Sequence, residues 1–579
     1  MQVPGLTVLK FGGSVLTDAT TLRRAVHEIY RWRRQGERVV AVVSALAGTT
    51  DAWIARTHTS EEDVNPTCLA TLLSGGERHA AALLGMLLDR AGIPARVLSP
   101  ETLHLTATGP VLDAHPNDLD ATALHAALDA EEVVVMPGFI ACDELGNAML
   151  LGRGGSDLSA LFLAHRLGAT RCRLIKDVDG IYTSDPRTSG AETQRYAQIS
   201  WHDALETDGT IVQHKAVRYA QEYGVEFELG RRNGSFPTRV GPGPTRLEDP
   251  APESPPLRVA LLGLGTVGTG VYSLLEGLTD TFVVTSVAVR EPDRVRDVPV
   301  PATLLTSDVL DAIACADVVV EALGGLEPAT STLQVALNRG ADVVTANKAV
   351  IARSLDALKL AADRSGSALR CSAAVGGSTP VLERVRFAPP SVRGLRGILN
   401  GTVNFALSEM SKGRSFEQAL AEARRLGFVE QDASRDLSGR DAADKLAVIA
   451  GTLGWRLDPR SIPCEALHPD IVTSPEAPVR QVSTLWLDHA RPEGRARGRV
   501  RLEVLGERDP LRDVHGVQNA ANVELEQGPD ALVLGKGAGR WPTAEAVVGD
   551  LLEIARDRDE KNCARARAAP DLRLDPVRT

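Results

Sequence analysis

The chain has few cysteines, no long apolar run and no basic stretch, and each shortage excludes a class of protein. Its seven cysteines are scattered without a Cys-x-x-Cys pair, which argues against a disulfide framework and a structural zinc site. No apolar run reaches the ~18 residues of a membrane helix. The formal net charge is -11, without dense Lys and Arg, so no nucleic-acid surface is expected. We expect a protein of the reducing cytoplasm that binds neither membranes nor nucleic acid.

Lysine is the most informative shortage. Of the 64 basic residues, only nine are Lys and the others are Arg. A chain that uses Arg wherever a positive charge is sufficient keeps Lys where a compact, mobile ammonium is needed, because the planar guanidinium cannot replace it. The remaining lysines are therefore candidates for catalytic positions. The alternative is that they are survivors of compositional drift.

The order of strand-like and helix-like runs divides the chain into two halves. The 579 residues are enough for three or four domains of ~150 residues each. Apolar strand-like runs alternate with helix-like runs in both halves, which predicts an α/β class with parallel sheets covered by helices. From about 231 to 256 the sequence is rich in Pro and Gly without a helical or strand period. It is predicted to be a linker between independently folding parts.

Glycine-bearing turns carry the functional signal of the first half. They are KFGGS at 10–14, LGRGGSDLSA at 151–160 and KDVDGIYTSDPR at 176–187. Glycine turns before helices expose backbone N–H groups that bind phosphate, although each alone is as easily a tight turn. Together with SGGER at 74–78, in this order and spacing, they resemble the aspartokinase branch of the amino acid kinase family. The resemblance covers residues 5 to about 240.

This resemblance implies a three-layer αβα kinase fold with a mostly parallel sheet. It implies transfer of a phosphoryl group from ATP, with Mg²⁺, to L-aspartate, giving 4-phospho-L-aspartate. Lys10 would stabilise negative charge on the transferring group, oriented by Asp157. Arg153 would pair with the substrate α-carboxylate and Glu77 with its ammonium. The other positions implied are Thr50 and Ser156 for aspartate, and Gly12, Gly13, Gly155, Lys176, Asp177, Tyr182, Asp185 and Arg187 for ATP.

The first half also departs from the family pattern. Ile211 stands where a Lys is usual, Lys215 replaces a Pro, and Lys176 replaces a small hydroxyl residue. One interpretation is that Lys176 or Lys215 supplies the missing phosphate contact. The other is that both are solvated charges, and that the kinase half is a weak or inactive module that binds nucleotide or aspartate. A kinase for a different amino acid stays a third alternative.

A dinucleotide-binding motif opens the second half. GLGTVG at 263–268 follows an apolar strand and precedes a helical pattern, which is the context that makes GxGxxG specific. The next strand ends at Arg290, where a site specific for NAD often carries Asp or Glu. A cation there can bind the 2'-phosphate of NADP. The alternative is a solvated Arg at the end of a strand.

Further motifs follow along the second half. They are TANKA around Lys348, SAAVGGSTP at 372–380, ILNGTVNF at 398–405, GFVEQDASRDLSGRDAADKLA at 427–447 and GKGAGRWPTAEAVVGDLLEI at 535–554. With the GxGxxG turn, this series resembles the homoserine dehydrogenase family from about 257 to 556. The resemblance implies interconversion of L-aspartate 4-semialdehyde and L-homoserine by hydride transfer with NADP or NAD.

The same resemblance assigns roles to residues of the second half. Lys348 and Lys445 would polarise the carbonyl and move the proton. Glu430 and Asp441 would bind the substrate ammonium. The cofactor positions are Gly263, Gly265, Thr266, Val267, Gly268, Arg290, Thr345 and Gly539. Backbone carbonyls of Val375, Gly377 and Thr379 would bind Na⁺ or K⁺, although Ser372 stands where the family often has Glu.

The two resemblances predict the domain organisation. They divide the chain into a kinase domain at 1–240, a linker at 241–256, a Rossmann-type domain at 257–385, an α+β catalytic and dimerisation domain with a returning C-terminal helix at 386–556, and a polar tail at 557–579. The linker is too short for the pair of ACT-type regulatory modules usual in fused relatives. We expect a homodimer or homotetramer whose ligands are aspartate, ATP, aspartate semialdehyde or homoserine, and NADPH.

Overall fold

A computed structural model describes residues 5–57, 64–185, 193–249, 254–387, 391–428, 433–488 and 494–568. In the first half the strands are β1 Leu6–Phe11, β2 Arg38–Val43, β3 Arg96–Val97, β4 Thr106–Thr108, β5 His115–Asp118, β6 Val133–Pro137, β7 Ile140–Cys142, β8 Ala148–Leu150, β9 Arg171–Ile175, β10 Arg195–Ser200, β11 Phe227–Gly230, β12 Thr238–Gly241 and β13 Arg246–Glu248. The helices are α1 Ala19–Arg34, α2 Thr49–Thr57, α3 Pro66–Ala91, α4 Ala121–Glu131, α5 Gly155–Arg166, α6 Trp201–Leu205 and α7 His214–Tyr223.

The first half is built on a nine-stranded sheet in the order β13-β10-β12-β11-β9-β1-β2-β6-β3. β1 is parallel to both of its neighbours, β2 and β9. β1 and β2 are apolar runs whose residues are almost all buried, as expected of parallel strands covered on both faces. Strands β5-β4-β7-β8 form a smaller sheet. The parallel order places the ends of β1, β2 and β9 at one edge, where the glycine turns follow.

The predicted linker is wrong in its first part. β12 pairs with β10 and β11, and β13 pairs antiparallel with β10. The kinase sheet therefore continues to Glu248, beyond the predicted boundary at 240. β13 is an edge strand with mostly exposed residues, and GPGP precedes it. An exposed edge strand of three residues does not require alternating apolar residues. The sequence therefore indicates the GPGP turn but not the strand that follows it.

The second half contains two further sheets. Its strands are β14 Leu257–Leu262, β15 Phe282–Ala288, β16 Leu305–Thr306, β17 Val318–Glu321, β18 Asp342–Thr345, β19 Leu369–Arg370, β20 Val392–Ile398, β21 Val479–Leu487, β22 Ala496–Val504, β23 Gln518–Leu525 and β24 Ala531–Lys536. Its helices are α8 Thr266–Leu275, α9 Val309–Ile313, α10 Ala329–Asn338, α11 Lys348–Ser365, α12 Val381–Phe387, α13 Gly401–Ser411, α14 Phe416–Arg425, α15 Ser434–Leu437, α16 Arg440–Thr452 and α17 Arg540–Ala568.

These sheets have different topologies. The order β16-β15-β14-β17-β18-β19 is parallel throughout, which is a Rossmann-type arrangement. The order β22-β21-β20-β23-β24 is antiparallel throughout. The predicted α/β class, with its mixed α+β part, is confirmed. α17 returns to pack against α8. It continues to Ala568, so the helix extends beyond the predicted domain end at 556 into the segment predicted as a polar tail.

The two halves contact each other directly. The four largest buried apolar clusters each lie within one half, as predicted for independent cores. Polar contacts join them: α1 packs on α17, and His27 Nδ1 lies 2.5 Å from Glu545 Oε1. Arg24 donates to the carbonyl of Gly277 at 2.7 Å. The two halves therefore have separate cores and are held together by direct polar contacts as well as by the chain between them. Each helix of the described residues is too short or too polar to span a membrane.

Candidate active sites

A cavity of about 430 Å³ lies at the edge of the kinase sheet where the glycine turns meet. The sequence predicted many of its lining residues. Those residues are Lys10, Gly13, Thr50, Glu77, Arg153, Gly155, Ser156, Asp157 and Lys176. Ile211 also lines the cavity, at the position where the family pattern has Lys. The turns, which are distant in sequence, therefore form one pocket.

Two lysines share one buried carboxylate in this cavity. Lys10 Nζ lies 2.5 Å from Asp157 Oδ1, and Lys176 Nζ lies 2.9 Å from Asp157 Oδ2. Lys10 is on β1, Lys176 directly follows the neighbouring β9, and Asp157 is in the first turn of α5. Burial lowers the pKa of Lys10 to about 8 although Asp157 opposes this. Burial alone would raise the pKa of Asp157, but the two ammoniums outweigh it and lower that pKa.

Glu77 presents a free acceptor to the same cavity. Its Oε1 accepts the backbone N–H of Ala45 at 3.1 Å. Its buried Oε2 has no hydrogen-bond partner in the described structure. Desolvation raises the pKa of Glu77 to about 7. Glu77 can therefore bind a ligand ammonium. Because burial raises its pKa to about 7, only part of the carboxyl group is ionised near neutral pH.

The remaining kinase positions lie beside the cavity or outside it. Gly12 leaves room for an ammonium, since a Cβ there would lie 3.1 Å from Lys10 Nζ. Tyr182 donates to Asp179 instead of lining the cavity. Lys215 donates to the carbonyls of Ala114 and Leu151, at 3.0 and 2.9 Å, and to Asp113. Asp177 and Asp185 lie on the segment after β9, outside the cavity lining, and Arg187 lies outside the described residues.

The dinucleotide turn has the geometry that its glycines predict. Gly263 has φ +95°, and a Cβ there would lie 2.6 Å from the carbonyl oxygen of Ala322. A Cβ on Gly268 would lie 2.0 Å from the carbonyl oxygen of Gly263, so helix and strand pack without a side chain. A Cβ on Gly265 would meet nothing within 4 Å. That open side, at the start of α8, leaves space for a pyrophosphate.

The other predicted cofactor positions surround this turn. Thr266 and Val267 begin α8. Arg290 is exposed just after β15. Thr345 is buried at the end of β18, and its hydroxyl donates to Glu321 Oε2 at 2.6 Å. The last position is Gly539, which precedes α17 with φ +115°.

A second pair of lysines shares a carboxylate in the other half. Lys348 Nζ lies 2.6 Å from Asp441 Oδ1, and Lys445 Nζ lies 2.9 Å from Asp441 Oδ2. Lys348 begins α11, whereas Asp441 and Lys445 are one turn apart on α16. Burial lowers the pKa of Lys445 against the opposing effect of Asp441. Burial would raise the pKa of Asp441, but Lys445 and Lys348 outweigh it and lower that pKa far below its ordinary value.

Three groups at this site escaped the sequence prediction. Asn400 Nδ2 donates to Asp436 Oδ1 at 2.8 Å and to Asp441 Oδ2 at 3.2 Å. Burial, and secondarily the charge of Asp441, raise the pKa of Asp436. The carbonyl of Leu399 accepts from Lys445 Nζ at 2.5 Å. Asn400 was visible in the motif ILNGTVNF, and Asp436 in the acidic loop, but no sequence signal marks a backbone carbonyl. The predicted Glu430 lies outside the described residues.

Comparison with known protein families matches the two halves of the chain to different families. Residues 5–226 match the amino acid kinase family. Residues 263–371 match the NAD binding domain of homoserine dehydrogenase, and residues 380–552 match homoserine dehydrogenase. Each of the two Lys–Asp–Lys sets therefore lies in a different kind of enzyme domain.

Individual relatives match the second half. A homoserine dehydrogenase of Synechocystis sp. is 35% identical over 316 residues, which are 52% of this chain and 73% of that protein. One of Corynebacterium glutamicum is 36% identical over 321 residues, covering 52% and 72%. The crystal structure of a homoserine dehydrogenase from Thiobacillus denitrificans aligns with a TM-score of 0.48 at 32% identity, covering 55% of this chain and 76% of the other.

Proposed function

The chain belongs to the homoserine dehydrogenase family and carries an amino acid kinase domain in front of it, and from this we propose that it catalyses two steps of aspartate metabolism. The first is phosphorylation of L-aspartate by ATP to 4-phospho-L-aspartate. The second is interconversion of L-aspartate 4-semialdehyde and L-homoserine with NADP or NAD. We assign residues 5–249 to the kinase and 257–568 to the dehydrogenase.

The pair Lys10 and Lys176 on Asp157 carries the kinase proposal. Phosphoryl transfer requires positive charge at the transferring group more than it requires covalent chemistry. Two ammoniums on one carboxylate leave this set of three side chains with a net positive charge. Lys176 thus compensates for Ile211, while Lys215 is occupied by oxygens outside the cavity lining. MgATP enters as substrate, and the N–H group of Gly13, which lines the cavity, can bind its phosphates. The N–H group of Gly155 already donates to the carbonyl of Gly152 at 2.9 Å.

Two side chains of the cavity support an amino acid as the acceptor. The free Oε2 of Glu77 suits an α-ammonium, and the exposed Arg153 suits an α-carboxylate. One preparation assayed for aspartate-dependent ADP release and for NADP-linked homoserine oxidation tests the whole proposal. ADP release with another amino acid but not with aspartate would show that the kinase acts on that amino acid instead. No ADP release with any amino acid would favour the second candidate, a kinase-like binding module fused to an active dehydrogenase, which Ile211 favours.

We expect the KM for aspartate to rise about tenfold when the pH is lowered from 8 to 6. Glu77, with its pKa raised to about 7, is ionised above that pH and loses its charge below it. The amino and carboxyl groups of aspartate do not titrate in this range. Initial rates of ADP release give the KM. Glu77→Gln should raise the KM at pH 8 and flatten its pH dependence, and a flat profile in the unaltered enzyme would contradict this role.

Lys445 and Lys348 support the dehydrogenase proposal. The nicotinamide cofactor supplies or accepts the hydride. An ammonium beside the reacting oxygen stabilises the alkoxide and can exchange one proton with it. Asp441 pairs with both lysines, so we assign it to their positioning rather than to direct contact with the substrate ammonium. One carboxylate oxygen of Asp436 accepts from Asn400. We propose Asp436, in addition to Glu430, as an acceptor for the substrate ammonium.

We expect Arg290→Asp to shift the preference from NADP toward NAD by about tenfold in the ratio of kcat/KM values. The exposed guanidinium follows the second strand of the dinucleotide fold, where it can pair with a 2'-phosphate. Asp removes that partner and adds repulsion. Homoserine oxidation measured with both cofactors provides the ratio. An unchanged ratio would show that Arg290 is only a surface charge.

The loop 372–380 does not fit a bound Na⁺ or K⁺ ion. The carbonyl of Thr379 already accepts the N–H of Val381 at 2.8 Å. The carbonyl of Ser378, in the same loop, accepts from the guanidinium of Arg33 at 3.5 Å. The described residues also contain no group of three His, Cys, Asp or Glu for a metal. We therefore assign no step to an ion on the carbonyls of Val375, Gly377 and Thr379.

A further inference from the structure

Arg34, the last residue of the kinase helix α1, is buried in the dehydrogenase half. Its guanidinium donates to Asp550 and lies 2.8 Å from Glu383 Oε1 and 3.1 Å from Glu553 Oε2. Gly549 makes room for it, since a Cβ there would lie 2.2 Å from Arg34 Nη1. Gly is unfavourable inside a helix such as α17. Its presence at the contact is consistent with a site shaped to receive this guanidinium.

Arg34 neutralises the carboxylate that fixes the start of the loop 372–380. Asp550, which is fully buried, accepts the N–H of Ser372 at 3.0 Å and its hydroxyl at 2.8 Å. A buried carboxylate without a cation is costly. Without Arg34, the carboxylates of Asp550 and Glu383 would lose a cation that contacts them both.

The kinase half also fixes the other end of this loop. The hydroxyl of Ser378 donates to the carbonyl of Gly92, which ends α3, at 2.8 Å. The same carbonyl accepts the N–H of Lys536 at 3.1 Å. Arg33 donates to the carbonyl of Leu534 and, at 3.5 Å, to that of Ser378. The loop and the end of β24 are therefore bound by the kinase at adjacent points.

From this loop a continuous set of contacts reaches Lys445. The loop packs on Gly535 and Gly537 with no side chain between. A Cβ on Gly537 would lie 2.1 Å from Asn519 Nδ2, so those groups touch. Asn519 Nδ2 donates to the carbonyl of Leu399 at 3.2 Å. Lys445 donates to the same carbonyl at 2.5 Å.

We propose that the kinase domain is a positioning element of the dehydrogenase. Arg34 and the carbonyl of Gly92 fix the two ends of the loop 372–380. The loop and β24, through Asn519, set the carbonyl that binds Lys445. Arg34 is thus a positioning residue that touches neither the reacting atoms nor the cofactor turn. The proposal rests on the proposed dehydrogenase activity and does not require kinase catalysis.

Four full-length variants test this proposal. Arg34→Met removes the buried cation, Ser378→Ala removes only one hydrogen bond to the kinase backbone, and Asp89→Asn is the matched control. Asp89 pairs with Lys536 across the same interface, but its side chain is 78% exposed, and such pairs contribute little. Homoserine oxidation, ADP release and the melting temperature are measured on each preparation. Arg34→Lys, which keeps the charge, tests rescue.

We expect kcat for homoserine oxidation to fall about tenfold in Arg34→Met and about threefold in Ser378→Ala. ADP release should stay within about twofold in both, since Arg34 lies at the opposite end of α1 from the KFGGS turn. The alkaline limb of the kcat profile should move by about half a pH unit, because Lys445 shifts relative to Asp441, Lys348 and Asp436. Arg34→Lys should recover part of the kcat, and Asp89→Asn should match the unaltered enzyme.

The opposing results are distinct. A pH profile unchanged in Arg34→Met and Ser378→Ala, with kcat either normal or lowered only in parallel with the melting temperature, would overturn the proposal. That result would show that the contact of Arg34 with the dehydrogenase half contributes to stability but does not position Lys445. If the unaltered enzyme did not oxidise homoserine at all, the proposed dehydrogenase function would fail instead.

Discussion

Lys445→Ala should lower kcat for homoserine oxidation at least a hundredfold while ADP release stays within about twofold. The change removes an ammonium that is buried beside Asp441 and the carbonyl of Leu399, and that we propose to stabilise the developing alkoxide. Loss of one such preorganised charge costs ~3 kcal/mol of transition-state stabilisation. The kinase cavity lies in the other half, with a separate apolar core, so phosphoryl transfer should persist.

Lys412→Ala is the matched control for this prediction. Lys412 is in the same half, and its side chain is 66% exposed in an ion pair with Glu409, so both activities should be unchanged. Stopped assays of both reactions on one preparation provide the comparison. Equal loss of both activities in Lys445→Ala would show that the sites are not separate. Full oxidation would assign the proton transfer to Lys348 alone.

Lys176→Met should lower kcat for ADP release at least thirtyfold, with homoserine oxidation unchanged. The variant removes one of the two ammoniums on Asp157. No ammonium then replaces the lysine that the family pattern has at the position of Ile211, which also lines the cavity. An effect of ~2 kcal/mol is expected when one of several charges on a transferring phosphoryl group is lost. Lys176→Arg should recover only part of the rate, because a planar guanidinium cannot adopt the same contact.

Lys215→Met separates the two interpretations of the missing lysine. Its ammonium binds the carbonyls of Ala114 and Leu151, so we expect a lower melting temperature and a loss of less than about fivefold in kcat. A larger loss of kcat in Lys215→Met than in Lys176→Met would assign the phosphate contact to Lys215 and the structural role to Lys176. Normal ADP release in both variants would show that neither lysine replaces the one missing at Ile211.

The sequence was sufficient for the fold class and for many of the residues that line the kinase cavity. Strand and helix periodicity predicted the mostly parallel kinase sheet and the parallel Rossmann-type sheet. The GxGxxG spacing predicted the tight contacts of Gly263 and Gly268. The shortage of lysine directed attention to Lys10, Lys348 and Lys445. The periodicity and the glycine spacing are local patterns, which are determined by residues close to one another along the chain.

What escaped prediction depends on contacts between distant segments. Arg34 looks like an ordinary basic residue at the end of a helix, and its partner Asp550 follows 516 positions later. The sharing of Asp157 by Lys10 and Lys176 follows from the adjacency of β1 and β9, which periodicity does not specify. β13 is a three-residue edge strand, too short and too exposed for any pattern.

The two Lys–Asp–Lys sets make lysine labelling a selective probe of this enzyme. Four of its nine lysines lie in the two candidate active sites. The lowered pKa of Lys10, about 8, leaves part of its amine unprotonated and nucleophilic near neutral pH. The exposed Lys412 and Lys561 provide internal reference amines in the same digest. A single mass-spectrometric footprint with an acylating reagent can therefore follow ligand occupancy at both active sites of one chain, each by the protection of its own lysines.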